Sequence, residues 1–314
     1  MTNQIMPPRS GSSVDAPRSR RLPLESVVFA SLTLVTLFVF GLGLPMPSPT
    51  VQVVILGVLV AVLGLPHGAL DPLIARRAGL WRTPIGFTGF NAAYILVVVA
   101  VVLLWLAAPA LSLIAFLVVS MLHFGSDWNA HRGLWLRFLA GFGLLTLPAF
   151  SHPQQVTAAY VVLAGDGGAT VASMQEWLGP LALAGLLLAA VIALRHRAHE
   201  SLEIGLATVL AVATEPLVFF IVYFCALHSF RHLKAGFTEE RGGGRVTALI
   251  VVVYTVVPIL AVAAFLLVVG PSGGLPAQVL QIVFIGLAAL TWPHMVVVTY
   301  ENRHHERLAA ARIG

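Results

Sequence analysis

The chain has 314 residues, of which 58% are hydrophobic and only 10% are charged. Soluble globular domains carry about 25% charged residues. A conventional soluble enzyme, a disordered chain and a disulfide-stapled secreted scaffold are therefore excluded, and a polytopic membrane protein remains. The formal net charge of +5 comes from basic residues scattered through short connections. That is the pattern of cytoplasmic loops, and no nucleic-acid partner is expected from it. The single cysteine, Cys225, lies in an apolar run and cannot form an internal disulfide, so the redox compartment stays open.

Residues 1–23 are polar, with Arg18, Arg20 and Arg21 just ahead of the first apolar run. They read as a disordered basic cytoplasmic tail before a signal anchor, with no small-residue cleavage site after the run. Residues 24–300 read as one transmembrane helical domain and 301–314 as a second cytoplasmic tail. A spanning helix needs about 20 mostly apolar residues. The qualifying runs are 24–44, 51–74, 87–107, 110–128, 134–150, 177–194, 201–215, 216–234, 246–269 and 277–299. The seventh is short, and ignoring the break at Glu215-Pro216 gives nine spans instead of ten. The expected fold class is an all-α membrane bundle of eight to ten spans, with ten favoured.

Basic residues test that layout independently of hydropathy. Arg76, Arg77 and Arg82 follow span two, Arg132 and Arg137 follow span four, and Arg195 and Arg197 follow span six. Arg231, Lys234, Arg241 and Arg245 belong to the end of span eight, and Arg303, Arg307 and Arg312 follow span ten. The alternate connections 45–50, 151–176 and 270–276 contain no Lys or Arg, which puts both termini on the cytoplasmic side. The glycine-rich pieces 165–168 and 242–244 lie in connections and read as flexible turns, since neither follows a strand and opens a helix.

The 11 histidines fall into two groups. His131, His152, His196, His199, His304 and His305 lie in loops or polar flanks and read as solvated. His67, His123, His228, His232 and His294 lie inside apolar runs, all on even-numbered spans. His67, His123 and His294 each precede a flanking arginine by nine residues, which places each imidazole about 13 Å from that arginine at the helical rise. His228 and His232 share a helical face by their i, i+4 spacing, while Arg231 between them must point elsewhere or snorkel. A lone intramembrane histidine is often only a hydrogen-bonded packing residue. Five at one depth, on spans two, four, eight and ten, point instead to a metal site, for which iron, zinc, copper and nickel all suit imidazole. The competing assignment is a His/Asp proton relay in a transporter. Asp71 and Asp127 each lie four residues after a histidine and are candidates to hold its second ring N–H. Pro66 and Pro293 immediately precede His67 and His294 and loosen the helix there.

The segments carrying these histidines resemble a known family. Gly64-Leu65-Pro66-His67-Gly68-Ala69-Leu70-Asp71 is similar to the signature of the Brp/Blh (bacterioopsin-related) membrane β-carotene 15,15′-dioxygenases. His123-Phe124-Gly125-Ser126-Asp127-Trp128, His228-Ser229-Phe230-Arg231-His232 and Trp292-Pro293-His294-Met295 match its later motifs in order. The resemblance runs from about residue 63 to residue 303 and leaves out the amino-terminal tail and the connection 151–176. It implies a bacterial or archaeal inner-membrane enzyme with one non-haem iron(II) per chain. Such an enzyme splits β-carotene with dioxygen into two molecules of all-trans-retinal, a product that microbial rhodopsins use.

Carried over, the iron ligands are His67, His123, His228 and His232, with His294 either replacing one of them or standing behind them. Phe124, Trp128, Tyr223, Phe230, Tyr254 and Trp292 are candidates to line a carotenoid tunnel, against the plainer assignment of core or interfacial-belt aromatics. A membrane di-iron desaturase or hydroxylase would need more histidines than the five at bilayer depth, and His304-His305 lacks a histidine three residues before it. A transporter would show inverted repeats and broken helices, which are not evident in the sequence. A haem protein would not need the close pair His228 and His232.

Overall fold

A computed structural model describes residues 22–129, 133–239, 244–269 and 274–310, and every regular element in them is helical. The tail up to residue 21, His131, Gly242, Gly243 and residues 311–314 lie outside the described residues. Eight helices among the described residues are long and apolar enough to cross a membrane. Two shorter helices stand where spans two and seven are expected, at Pro49–Gly64 and at α9 (Ala198–Ala213). The break at Thr214-Glu215 separates α9 from α10 (Pro216–Tyr223), as the ten-run layout requires.

The helices sort into a shell and a core. α5 (Pro84–Ala107) and α12 (Gly244–Val269) bury 6% and 11% of their most apolar stretches, whereas α6 (Pro109–Asn129) and α7 (Leu134–Ser151) bury 50%. The outer helices therefore offer leucine and valine to hydrocarbon, which asks for no polar face. The core is built from α1 (Leu24–Gly41), α6, α7, α9 and α10, with Phe29, Leu144, Ile204, Leu210 and Tyr223 almost fully buried. α6 and α7 approach until backbones touch: a Cβ on Gly125 would lie 1.7 Å from the Arg137 carbonyl, and one on Gly141 would lie 1.7 Å from that of Met121. Small residues permit this approach, which in a bilayer replaces the missing hydrophobic drive between helices.

The expected connection 151–176 is not a loop. Residues Pro153–Leu194 (α8) are helical throughout except at Ala164 and Gly165, where Gly165 adopts φ 59° and ψ −148°. The chain doubles back there. Tyr160 donates to Gln175 at 2.8 Å, although 15 residues of straight helix would separate them by about 22 Å. The two carbonyls released at the break accept from the Trp105 indole (3.0 Å, onto Leu163) and from Gln281 (2.8 Å, onto Val162). An interrupted helix is tolerated in a membrane when partners of this kind serve its free backbone groups. The polar and glycine-rich sequence suggested a turn because those partners come from distant spans.

The second expected span, 51–74, is also segmented. α2 (Pro49–Leu59) passes into a π-helical turn at Val60–Gly64, then α3 (Leu65–Gly68) and α4 (Asp71–Arg77). Pro66 and Pro72 each remove a backbone donor, which favours breaks there. A second π-helical turn, Phe224–Ser229, joins α10 to α11 (Phe230–Glu239). The two π-turns pack on each other, with Gly64 against the Phe224 ring. Each lies at a histidine motif, and such turns are frequent at functional sites. The last helix is α13 (Leu275–Ala310).

Candidate metal centre

Four of the five intramembrane histidines meet ring to ring. The His123 ring centroid lies 4.7 Å from that of His228, 5.1 Å from His294 and 5.7 Å from His232, and His228 and His232 are 4.6 Å apart. They come from α6, the second π-turn, α11 and α13. His67 sits on α3, which packs against α11; its side chain lies outside the described residues. The π-turn matters here, because its extra residue per turn changes the phase at which His228 leaves the helix relative to His232.

Two buried carboxylates orient three of these rings. Asp127 accepts from Nδ1 of His228 at 3.0 and 3.2 Å, from Nε2 of His232 at 3.2 Å and from the Tyr223 hydroxyl at 2.6 Å, with no exposed side-chain surface. Asp71 accepts from Nδ1 of His294 at 2.7 Å and from the Tyr94 hydroxyl at 2.8 Å. Their i, i+4 spacing points these carboxylates at His67 and His123 on their own chain segments. In the structure Asp127 holds His228 and His232, and Asp71 holds His294, all on other helices. A ring whose one nitrogen donates to a carboxylate carries a lone pair on the other, the tautomer that metal ligation requires. By that test the residues fit a metal ion. One oxygen of Asp127 and one nitrogen each of His228 and His232 also fall within 4.8 Å of one another, a spacing able to hold an ion.

A second buried network, which the sequence reading did not include, lies behind Asp127. Arg231 turns away from the histidines that flank it and donates to the Asp127 carbonyl at 2.8 Å and to Glu203 at 2.7 Å. Glu203, 1% exposed on α9, also accepts from the Trp128 indole at 2.8 Å and the Ser26 hydroxyl at 2.5 Å. One carboxylate thus ties α1, α6 and α11 to α9. The signal that could have found it is a glutamate within an apolar run, which is rare unless paired or functional.

An apolar cavity of about 470 Å³ opens beside the histidines, walled by Leu113, Leu117, Ser120 and Phe124 of α6, Phe220 of α10 and Phe284 of α13. Its far end carries Gln52, Gln155 and Glu215. Phe124 divides cavity from histidines, its ring centroid 4.7 Å from that of His228. The other tunnel candidates do not line this cavity. Trp128 and Tyr223 serve Glu203 and Asp127, Tyr254 donates to Asn91, Trp292 is 37% exposed on α13, and Phe230 opens α11. Outside the spans, burial lowers the His152 pKa below the ordinary imidazole value, while nearby Glu215 opposes the shift.

Fold and site together define a polytopic membrane protein with a buried histidine–carboxylate centre beside an apolar chamber. The profile of the beta-carotene 15,15'-dioxygenase family matches residues 58–300. The chain belongs to this enzyme family. It is 30% identical over 261 residues to the beta-carotene 15,15'-dioxygenase of uncultured marine bacterium 66A03, covering 79% of this chain and 93% of that one. It is 27% identical over 290 residues to the probable beta-carotene 15,15'-dioxygenase Blh of Halobacterium salinarum, covering 77% and 82%. No solved structure matches the chain.

Proposed function

We propose that this enzyme cleaves β-carotene at its central double bond, with dioxygen as co-substrate and one iron(II) per chain, and releases two molecules of all-trans-retinal. One dioxygen accounts for both aldehyde oxygens, so the reaction balances without another reductant. The observation that carries this proposal is the layer of imidazoles, backed by two buried carboxylates, behind Phe124 in the wall of an apolar cavity. His67, His123, His228 and His232 are the proposed ligands. His294 is held by Asp71 much as His228 is held by Asp127, which supports a place for it in the same coordination layer. Bound iron(II) supplies the redox chemistry that spin-paired organic molecules lack with dioxygen.

The protein's own residues prepare that chemistry. Asp127 and Asp71 fix ring orientation and tautomer, so little reorganisation accompanies metal binding. Phe124 and the apolar walls keep water from the reacting carbons and align the polyene by shape, since a hydrocarbon offers no hydrogen bond to grip. A carotenoid is about as long as the ~30 Å hydrocarbon core is thick, so it can enter sideways from the lipid. The charge pattern supports cytoplasmic termini, the bacterial and archaeal relatives support a prokaryotic cell-membrane location, and a microbial rhodopsin is the proposed recipient of the product.

The test is expression in β-carotene-producing bacteria. Loss of orange colour, accumulation of retinal and about one iron per purified chain are expected. Persistent pigment beside folded, iron-loaded protein would refute the substrate; two irons per chain would favour a desaturase-like site.

A further inference from the structure

Most hydroxyls inside apolar helices have a standard outlet: they donate to the carbonyl one turn back. Thr208, Thr214 and Thr291 do so at 2.7 Å, and Ser151 does so at 3.1 Å. Ser120 does not. It is 2% exposed, and its Oγ has no hydrogen-bond partner among the described residues. Ser112, Thr146 and Ser229 also carry unpaired buried hydroxyls, but only Ser120 among these lines the apolar cavity. It stands one turn before His123 on α6, hence on the same face, and one turn before Phe124 at the histidine end of the chamber. A buried, unpaired donor on a residue that lines an apolar chamber is a site waiting for an acceptor.

We propose that the Ser120 hydroxyl donates a hydrogen bond to the aldehyde oxygen of the retinal formed in this cavity, and so acts as a product-side catalytic residue. The proposal rests on the carotene-cleavage assignment above. The substrate is a hydrocarbon and cannot accept the bond. The oxygen appears only at the two central carbons, which lie by the histidine layer, one helical turn from Ser120 along α6. A bond absent in the substrate complex and present once oxygen has been transferred lowers the barrier without tightening substrate binding. It should therefore show in kcat and leave KM largely unchanged.

Ser120→Ala removes one atom from a buried site, and Ser120→Thr keeps the hydroxyl. Retinal binding to the metal-free protein in nanodiscs is read from its visible absorption, beside binding of uncleaved β-carotene. Ser120→Ala should weaken retinal roughly five- to tenfold, the worth of one neutral hydrogen bond. It should also abolish the red shift of bound retinal and leave β-carotene affinity unchanged, with Ser120→Thr close to wild type. In the iron-loaded enzyme kcat should fall by a similar factor. Wild-type protein that cleaves β-carotene while Ser120→Ala binds retinal as tightly as wild type overturns the Ser120 assignment alone. So does equal weakening of retinal and β-carotene, which would mark a packing role. Wild-type protein that neither cleaves β-carotene nor binds retinal overturns the carotene assignment itself.

Discussion

Asp127 is the side chain on which the proposed metal centre most depends, and its geometry sets an order of effects. Oδ1 lies 3.2 Å from both His228 Nδ1 and His232 Nε2, while Oδ2 takes the Tyr223 hydroxyl at 2.6 Å and His228 at 3.0 Å. Asp127→Ala removes the orienting acceptor from two rings at once. Loss of one such partner lowers metal affinity by about 10–100-fold, so the double loss should reach about 100-fold, or ~2.7 kcal/mol. Asp127→Asn can keep a carbonyl at the Oδ1 position and serve both rings, but it brings an amide donor against His228 and loses the charge; about tenfold is expected. Tyr223→Phe leaves every ring contact in place and should cost less than threefold, the low end for one neutral hydrogen bond. The assay is anaerobic competition for iron(II) against a chromophoric chelator, with apo-protein melting as the folding control. Wild-type affinity in Asp127→Ala would refute the reasoning, as would a Tyr223→Phe loss equal to that of Asp127→Ala.

Two further outcomes follow from packing and buried charge. Glu203→Gln or Arg231→Met breaks an ion pair whose side chains are 1% and 19% exposed. Either should cost about 3–5 kcal/mol, with partial recovery in the double variant because no lone charge then stays buried; thermal unfolding of single and double variants reads this directly. Gly125→Ala places a methyl 1.7 Å from the Arg137 carbonyl, so α6 and α7 must separate. It should lower the melting temperature and disturb His123 two residues earlier, with a loss of at least about 1–3 kcal/mol. A melting curve matching wild type would mean the two helices are not in backbone contact.

The sequence by itself determined the medium, the fold class and the residues of interest. Low charge, long apolar runs and alternating basic connections need no tertiary contact to be read, because the bilayer imposes them on each helix separately. That His123 and His294 share one level was likewise legible, since helical rise is constant, and their rings lie 5.1 Å apart. What each polar group touches was not. Asp71 and Asp127 reach histidines on other helices, Arg231 turns back to Glu203, and residues 151–176 fold into a helical hairpin whose free carbonyls are served by Trp105 and Gln281. Of six aromatic tunnel candidates, only Phe124 lines the cavity. These facts depend on rotation of each helix about its axis, on two π-turns that shift that rotation, and on close approaches at glycine. Hydropathy reports how deep a residue sits in the bilayer; only packing decides which neighbour it faces.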